Sequence, residues 1–300
     1  MLLEYIATPS DEGEKILTIL KRKMHCSGTQ IRRLKSNDMI FHNGIKTFTN
    51  VRVSAGDVIK IKILEHRVND NVPAQNIPVD VIYEDEFIIA LNKPPGMAVH
   101  PVGIYTTDTL ANALRHYYLV KGMDIASRPI GRLDRNTSGI VVFARNSHVM
   151  ARFSEAFHRP DTRKIYHGIV HGKPREDQGL IDLPIKRSPD SIISRITASD
   201  GKPSRTEYRV LETFRDTSLI EYRLLTGRTH QIRLHSSEIG CPLVGDGIYG
   251  DDSKTAHIIN RHALHCRYIS FINPFNDKEV ELVAPYPEDF ERALIQLREQ

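Results

Sequence analysis

The sequence predicts an α+β protein in two parts: a small N-terminal domain over residues 1–65, built of two helices and a small sheet, and a larger domain over 79–300 with a mainly antiparallel mixed sheet and peripheral helices, joined by a linker over 66–78. Three observations predict it. Apolar residues recur at helical spacing twice near the start, an Asn-Gly pair sits between two short apolar runs, and beyond residue 78 strand-like runs outnumber the helical stretches set among them.

After Gly13, the residues Ile16, Leu17, Leu20 and Met24 fall on one helical face, and Lys21, Arg22 and Lys23 crowd the helix end, where positive charge complements the macrodipole. Ser27-Gly28 then turns into a second short helix with Ile31 and Leu34 facing inward and Arg32, Arg33 and Lys35 outside. Met39-Ile40-Phe41 and Ile45-Lys46-Thr47-Phe48 flank His42-Asn43-Gly44 as a hairpin, and Val58 to Ile63 alternates as a half-buried strand. From Glu65 to Pro78 the chain turns polar and aperiodic, as a linker does.

Strands resume at Val79–Tyr83 and Phe87–Asn92 around the turn Glu84-Asp85-Glu86, and Lys93-Pro94-Pro95-Gly96 breaks the pattern as a rigid turn. A helix from Thr109 to about Leu119, capped by Asp108, carries Leu110, Leu114 and Tyr117 on one face. Ile140 to Ala144 is a buried strand, Ser147 caps a helix in which Met150, Phe153 and Phe157 align, and Lys164 to Val170 returns to strand. Strands and turns follow until Pro287 opens a terminal helix through Phe290, Leu294 and Leu297.

Composition and charge exclude several function classes. The longest apolar stretches, Phe87 to Leu91 and Ile140 to Ala144, are far too short to span a bilayer. Met1-Leu2-Leu3 runs into Glu4, with Asp11, Glu12 and Glu14 soon after, so no secretory segment is expected and the protein is placed in the cytoplasm. Cys26, Cys241 and Cys266 are widely separated and form no C-x-x-C pair, so they read as reduced thiols. His262 and His265 stand three apart without a carboxylate cluster, and no metal site is expected. The net charge of +4 is unevenly spread: Lys15 to Lys62 holds eleven basic against two acidic residues, 11 − 2 = +9, leaving 4 − 9 = −5 elsewhere. A basic segment on a mildly acidic body suits one part that grips nucleic acid and another that does chemistry. Two short helices around a glycine turn also allow a DNA-binding helix-turn-helix.

One stretch stands out chemically. Arg132-Leu133-Asp134-Arg135-Asn136-Thr137-Ser138-Gly139 sets a carboxylate among arginines, in a loop braced by the apolar strand that follows. That arrangement suits nucleophilic or base chemistry on a polyanion; the plain alternative is a turn-capping aspartate among solvated arginines. In Thr226-Gly227-Arg228-Thr229-His230-Gln231-Ile232-Arg233-Leu234-His235, polar and apolar residues alternate, so Arg228, His230 and His235 read as the solvent face of a strand; a part in shaping a pocket is the alternative.

Together with Asn92-Lys93-Pro94-Pro95-Gly96-Met97, His100-Pro101, Lys164-Ile165-Tyr166, Gly240-Cys241-Pro242-Leu243-Val244-Gly245-Asp246 and Tyr249-Gly250, these stretches resemble the RluA type of pseudouridine synthase, over residues of about 75 to 285. One departure is Gly131, where many relatives have histidine before the R-L-D triplet. The basic segment, over about fifty residues, looks like the small RNA-binding module first recognised in a small-subunit ribosomal protein, with Lys21, Arg22, Lys23, Arg32, Arg33 and Lys35 as its RNA contacts.

The resemblance implies isomerisation of uridine within RNA, most often large-subunit ribosomal RNA or an assembling large subunit, with neither nucleotide cofactor nor metal. It makes Asp134 the essential carboxylate, acting either by attack on the nucleoside or by removal of a ribose proton. It gives Arg233 as its basic partner through a paired hydrogen bond, Tyr166 as the active-site tyrosine, and Arg132 as the residue that fills the space left by an extruded base; Ile232 and Leu234 join Arg132 as substrate-binding positions. A catalytically silent RNA-binding or ribosome-assembly factor on the same scaffold is the rival reading, and a metal-dependent nuclease or DNA-binding regulator a more distant one.

Overall fold

The computed structural model describes residues 1–63, 72–103, 106–250 and 258–299, and the chain divides into two units, Met1–Asn69 and Asp70–Gln300. In the first unit, β1 (Leu2–Ile6), α1 (Ile16–Arg22), α2 (Gly28–Ser36), β2 (Ile40–His42), β3 (Ile45–Lys46) and β4 (Val58–Lys62) form a sheet of order β1-β4-β2-β3 with two helices. Ile16, Leu20, Met24, Ile31 and Leu34 are buried with Ile40, Ile59 and Ile61 as their spacing predicts, while Ile19 joins them and Leu17, expected on that face, is only partly buried. Ser27 caps α2 by accepting from the Gln30 amide, and Asn43 and Gly44 both take positive φ, as the tight turn between β2 and β3 requires. The sequence offered no signal for β1, because Leu2 and Ile6 are apolar yet more than half exposed and blur its alternation.

The second unit runs β5 (Val81–Glu84), β6 (Ile88–Lys93), α3 (Leu110–Val120), β7 (Arg128–Pro129), β8 (Ser138–Ala144), α4 (Ser147–Ala156), β9 (Arg163–His171), β10 (Gln178–Asp182), β11 (Ile185–Arg187), β12 (Arg195–Thr197), β13 (Arg205–Thr213), β14 (Thr217–Leu224), α5 (Gln231–Glu238), β15 (Leu264–Ile272), β16 (Glu279–Val283) and α6 (Glu288–Arg298). Its main sheet has the order β10-β13-β14-β9-β15-β8-β6-β5, with β16 on β15 and β7 on β8; β11 and β12 pair as a separate hairpin. Of the ladders described, only β15 with β8 is parallel. Every residue of β8 is buried. Val141 and Phe143 pack with Ile89, Leu91 and α3, while α6 closes a second core over Ile169, Leu219 and Val244, so the sheet is a covered layer in α+β architecture.

Three local expectations change. The cap of α3 is Thr109, whose hydroxyl accepts from the Asn112 amide, and Asp108 before it takes a positive φ. Asn146, one residue before Ser147, caps α4, and Met150 lies on its outer side at 37% exposure. Of the expected linker, residues 66–71 lie outside the described residues; the rest is laid along α3, with Val72 buried, the Gln75 amide donating to Asn112 O and Asn112 Nδ2 to Pro73 O. Among the described residues no helix is long and apolar enough to cross a membrane.

Candidate active site

Asp134 sits in the loop between β7 and β8, and its backbone carbonyl closes a turn by accepting from the Thr137 amide at 3.0 Å. Two other segments, Arg261-His262 and the end of β6, hold that loop. Thr137 Oγ1 meets His262 Nε2 at 2.8 Å, Arg261 Nη1 donates to Asn136 O at 2.9 Å, and Lys93 Nζ donates to Arg135 O at 2.9 Å. Arg261 is fixed in turn by Asp289 on α6, at 2.6 Å. At the loop's exit Gly139 has φ +108°, and a Cβ there would collide with the Cys266 carbonyl on β15; only glycine lets β8 approach β15 so closely. Burial pushes the His262 and His265 imidazoles down to about 3, so both act as neutral struts, His265 bonding Ser138 Oγ through Nδ1 at 2.9 Å.

Lys93 ends β6 fully buried, and its Nζ donates to Pro94 O, Met97 O and Arg135 O at 2.7–2.9 Å. Burial pushes its pKa down to about 7, but three carbonyls at hydrogen-bond distance suit the three N–H bonds of an ammonium, and they hold the proton on. The residue ties the 94–97 turn to the Asp134 loop. Lys93→Met leaves three buried carbonyls without a donor and is expected to cost about 3 kcal/mol. A urea transition that does not move would refute this.

Arg233 comes from α5 and is 5% exposed. Its paired hydrogen bond goes to Asp246, Nε to Oδ2 and Nη2 to Oδ1, both at 2.7 Å, and not to Asp134 as the resemblance implied. Asp134 receives the one remaining arm, Nη1 to Oδ2 at 3.4 Å, with His230 Nε2 at 3.8 Å from the same oxygen. A fully buried Asp246 anchors the guanidinium, leaving Asp134 loosely held. Burial alone would raise the Asp246 carboxyl, but the bonds and charge of Arg233 overcome this and set it below the ordinary range. Asp134 keeps 27% of its side chain exposed and lines a cavity of about 600 Å³ with Arg135, His230, Arg233, Arg261 and His262. That volume suits a nucleoside.

The stretch expected as a strand at Arg228–His235 is instead a turn followed by α5. His230 takes a left-handed conformation, φ +60°, and every residue from Gln231 to Ser236 is buried. Its polar members are satisfied inside: Gln231 bonds Thr226, Arg228 N and Arg205 O, while His235 meets Thr206 Oγ1 and Leu183 O. A helix buried all round mixes polar with apolar positions, which mimics a strand's alternation. Arg228 alone of the three is exposed.

The other expected site residues are spread out. Tyr166 lies in β9, 9% exposed, its hydroxyl hydrogen-bonded to Cys266; burial pushes its pKa well up, with the Asp134 charge adding to the effect. It is not among the residues lining the cavity, and neither are Ile232 and Leu234, which are 3% and 5% exposed on the helix that carries Arg233. Arg132 is exposed. Lys21, Arg22, Lys23, Arg32, Arg33 and Lys35 are all exposed on α1, its C-cap and α2, Lys23 also pairing with Asp11 at 3.5 Å. Over residues 1–63 the acids Glu4, Asp11, Glu12 and Glu14 join Asp38 and Asp57, so the charge of this unit is 11 − 6 = +5, less than the basic stretch alone suggests.

Asp246 and Tyr249 stand in stretches that carry the resemblance but had no role of their own, His262 was weighed only as a metal ligand, and Arg261 was not singled out. One signal was present: a buried arginine needs a well-bonded carboxylate, and Asp246 follows a glycine, Gly245, whose φ of +72° and contact with the Arg261 carbonyl exclude a side chain. The cysteines are free and buried, as reduced thiols would be.

Residues 87–238 match the family described as RNA pseudouridylate synthase. A Bacillus subtilis protein described as an uncharacterized RNA pseudouridine synthase, YlyB, is 37% identical over 303 residues, covering 99% of this chain and 98% of its own. The ribosomal large subunit pseudouridine synthase D of Zymomonas mobilis is 36% identical over 252 residues, 80% of this chain and 79% of its own. Among solved structures, the human RNA pseudouridylate synthase domain containing 1 superposes with a TM-score of 0.59 at 28% identity, over 72% of this chain and 86% of that one. With the match spanning the Asp134 loop, β9 and the Arg233 helix, the chain belongs to the RNA pseudouridine synthases, in their RluA-type branch, and is an isomerase that turns uridine into pseudouridine in RNA.

Proposed function

We propose that Asp134 is the carboxylate that reacts with the uridine, and that the RNA is large-subunit ribosomal RNA, free or in an assembling subunit. The observation that carries the first part is the division of labour at Arg233: of its two carboxylates, Asp246 is fully buried while Asp134 faces the cavity. The isomerisation breaks the N1–C1′ bond and joins C5 to C1′; C5 loses a proton and N1 gains one, so no oxidant, reductant or imported group is needed. An ionised carboxylate supplies either the nucleophile or the base for it, and Arg233 Nη1 stabilises the anion. Tyr166, close enough to Asp134 to feel its charge, serves by stacking once the base has entered, and exposed Arg132 fills the gap the base leaves in the RNA.

The ribosomal target is supported by relatives whose descriptions name the large subunit, the Zymomonas mobilis protein among them. An RNA substrate and three buried, unpaired cysteines support the cytoplasm as its place. Transcribed large-subunit RNA carrying tritium at uracil C5 tests the reading: the protein should release tritium to water and leave pseudouridine at defined positions. Binding without release would instead favour a silent assembly factor, and strand scission that stops with chelator a nuclease.

The N-terminal unit is proposed as the RNA grip. Its six exposed cations on α1, its C-cap and α2 would each neutralise phosphate. Replacing Arg32, Arg33 and Lys35 by alanine is expected to weaken RNA binding about tenfold at 150 mM salt and to flatten the dependence of log Kd on log salt, with kcat on saturating RNA unchanged. The same loss should follow deletion of residues 1–65. An unaltered salt slope would rule the grip out.

A further inference from the structure

Asp134 Oδ2 has two donors near it, Arg233 and His230, and one side chain touches both of them. Tyr249 packs its ring edge-on against the His230 imidazole, centroids 5.7 Å apart, and its face lies 5.3 Å from the Arg233 guanidinium carbon. Its hydroxyl meets His230 Nδ1 at 2.9 Å and accepts from the Arg195 backbone amide at 2.8 Å. Tyr249 is half-buried, and it stands just beyond the Asp246 that anchors Arg233; Asp246 Oδ1 in turn accepts from the Tyr249 amide.

The partners of that hydroxyl point to one tautomer of His230. A phenol has one proton to give, and Tyr249 already accepts from Arg195, so its own O–H is satisfied by donating to His230 Nδ1. Nδ1 is then the acceptor, and the imidazole proton sits on Nε2, the nitrogen that faces Asp134 Oδ2 at 3.8 Å. The charged and titratable groups around the ring are Asp134, Arg233, Arg195, Asp246, His262 and Tyr249. Burial pushes the imidazole pKa down, Arg233 and Arg195 push the same way, and Asp134 and Asp246 oppose them, with the net shift favouring the neutral ring.

We propose that Tyr249 is a positioning residue for the reaction: through Nδ1 it locks His230 with its proton on Nε2, so that His230 and Arg233 present two N–H groups to the reacting oxygen of Asp134. This rests on Asp134 being the reacting carboxylate. At 3.8 Å the Nε2–H stands off the carboxylate by more than a hydrogen bond, so it orients Oδ2 without consuming it. The other end of the lock is the first residue of β12, Arg195, whose guanidinium turns back onto Ile193 O and Ser194 O at the tip of the β11–β12 hairpin. Ile193 lines the cavity and is 58% exposed, so an RNA that presses on this tip meets the same strand whose amide holds Tyr249.

The test has two arms. Imidazole nitrogen-15 shifts of the intact wild-type protein at pH 7, with the His230 signals assigned by their loss in His230→Gln, should show a protonated Nε2 and an unprotonated Nδ1. Tyr249→Phe, which removes only the hydroxyl, should give a mixture of tautomers. The same variant should lose about tenfold in kcat on transcribed large-subunit RNA, the worth of one buried hydrogen bond, with KM within about twofold. A wild-type Nδ1 that carries the proton overturns the proposal without recourse to any variant, as does a folded Tyr249→Phe protein with normal kcat. The nitrogen shifts report the tautomer whether or not Asp134 is the reacting group. If Asp134→Ala stays active while the tautomer is as stated, the fault lies with the assignment of Asp134 and not with the lock.

Discussion

Asp134→Ala is expected to lower turnover by at least about ten-thousandfold while leaving RNA affinity within about threefold of wild type. The size of the loss follows from the cavity. Among the described residues Asp134 is the carboxylate that lines it, and the other carboxylate within reach of Arg233 is sealed away, so neither Asp246 nor any other described lining carboxylate is placed to take over. The small effect on binding follows from the same geometry, since the cations proposed to meet phosphate lie on other elements and Asp134 itself brings a negative charge toward a polyanion. Asp134→Asn sharpens the experiment. The amide keeps the shape, removes the charge and cannot serve as nucleophile or base, so it should be as inactive as alanine. Its –NH₂ group would face the Arg233 and His230 N–H groups if the carboxamide turned the wrong way, and the turn through Thr137 should keep its stability either way. Tritium release from C5-labelled RNA reads both variants. A residual rate within about a hundredfold of wild type would transfer the chemistry to another group and sink the assignment.

How much of this could be read beforehand depended on the range of each interaction. Strand β8 and the loop before it were legible because burial on both faces leaves an unbroken run of five apolar residues, Ile140 to Ala144, and Gly139 stands at its start. The helices α1 and α2 were legible because each buries one narrow stripe, and the Asn43-Gly44 turn because two positive φ angles in succession leave few residues to choose from. Helix α5 was misread for the opposite reason. It is buried on all sides, its polar groups are paid for by Arg205, Thr206, Leu183 and Asp246, and none of those partners is visible from within the helix. The same applies to the site. Asp134 announced itself locally, but Arg233 stands 99 residues away and entered only through resemblance, while Asp246, Tyr249 and His262 acquire meaning only once β15 and α5 have been folded beside the loop. The caps of α3 and α4 show the smallest version of this limit: neighbouring polar residues compete for one position, and backbone geometry chooses between Asp108 and Thr109, or between Asn146 and Ser147.

Arg233→Leu is expected to abolish activity and also to destabilise the larger unit by about 3–5 kcal/mol, because the guanidinium has two duties. One arm reaches Asp134; the other two satisfy Asp246, whose side chain is fully buried. Removing the cation strands that carboxylate in the interior, where its remaining partners are the Ile248 and Tyr249 amides. The stability and the activity can be separated. Arg233→Leu combined with Asp246→Leu removes the whole buried pair and should recover most of the lost stability, since replacing both partners by apolar groups is often close to neutral. Turnover should stay absent, because the arm to Asp134 is still missing. Acid provides an independent check on the sign. Asp246 is held below its unfolded value of about 3.9, so its contribution is complete above that pH and is lost as pH falls through the lower folded value. Below about pH 4 the wild type should therefore lose stability faster than the double variant, and urea transitions at pH 7 and pH 3 measure the difference. If Arg233→Leu alone unfolds at the wild-type urea concentration, Asp246 does not depend on it, and the anchoring of Arg233 through the buried carboxylate is wrong.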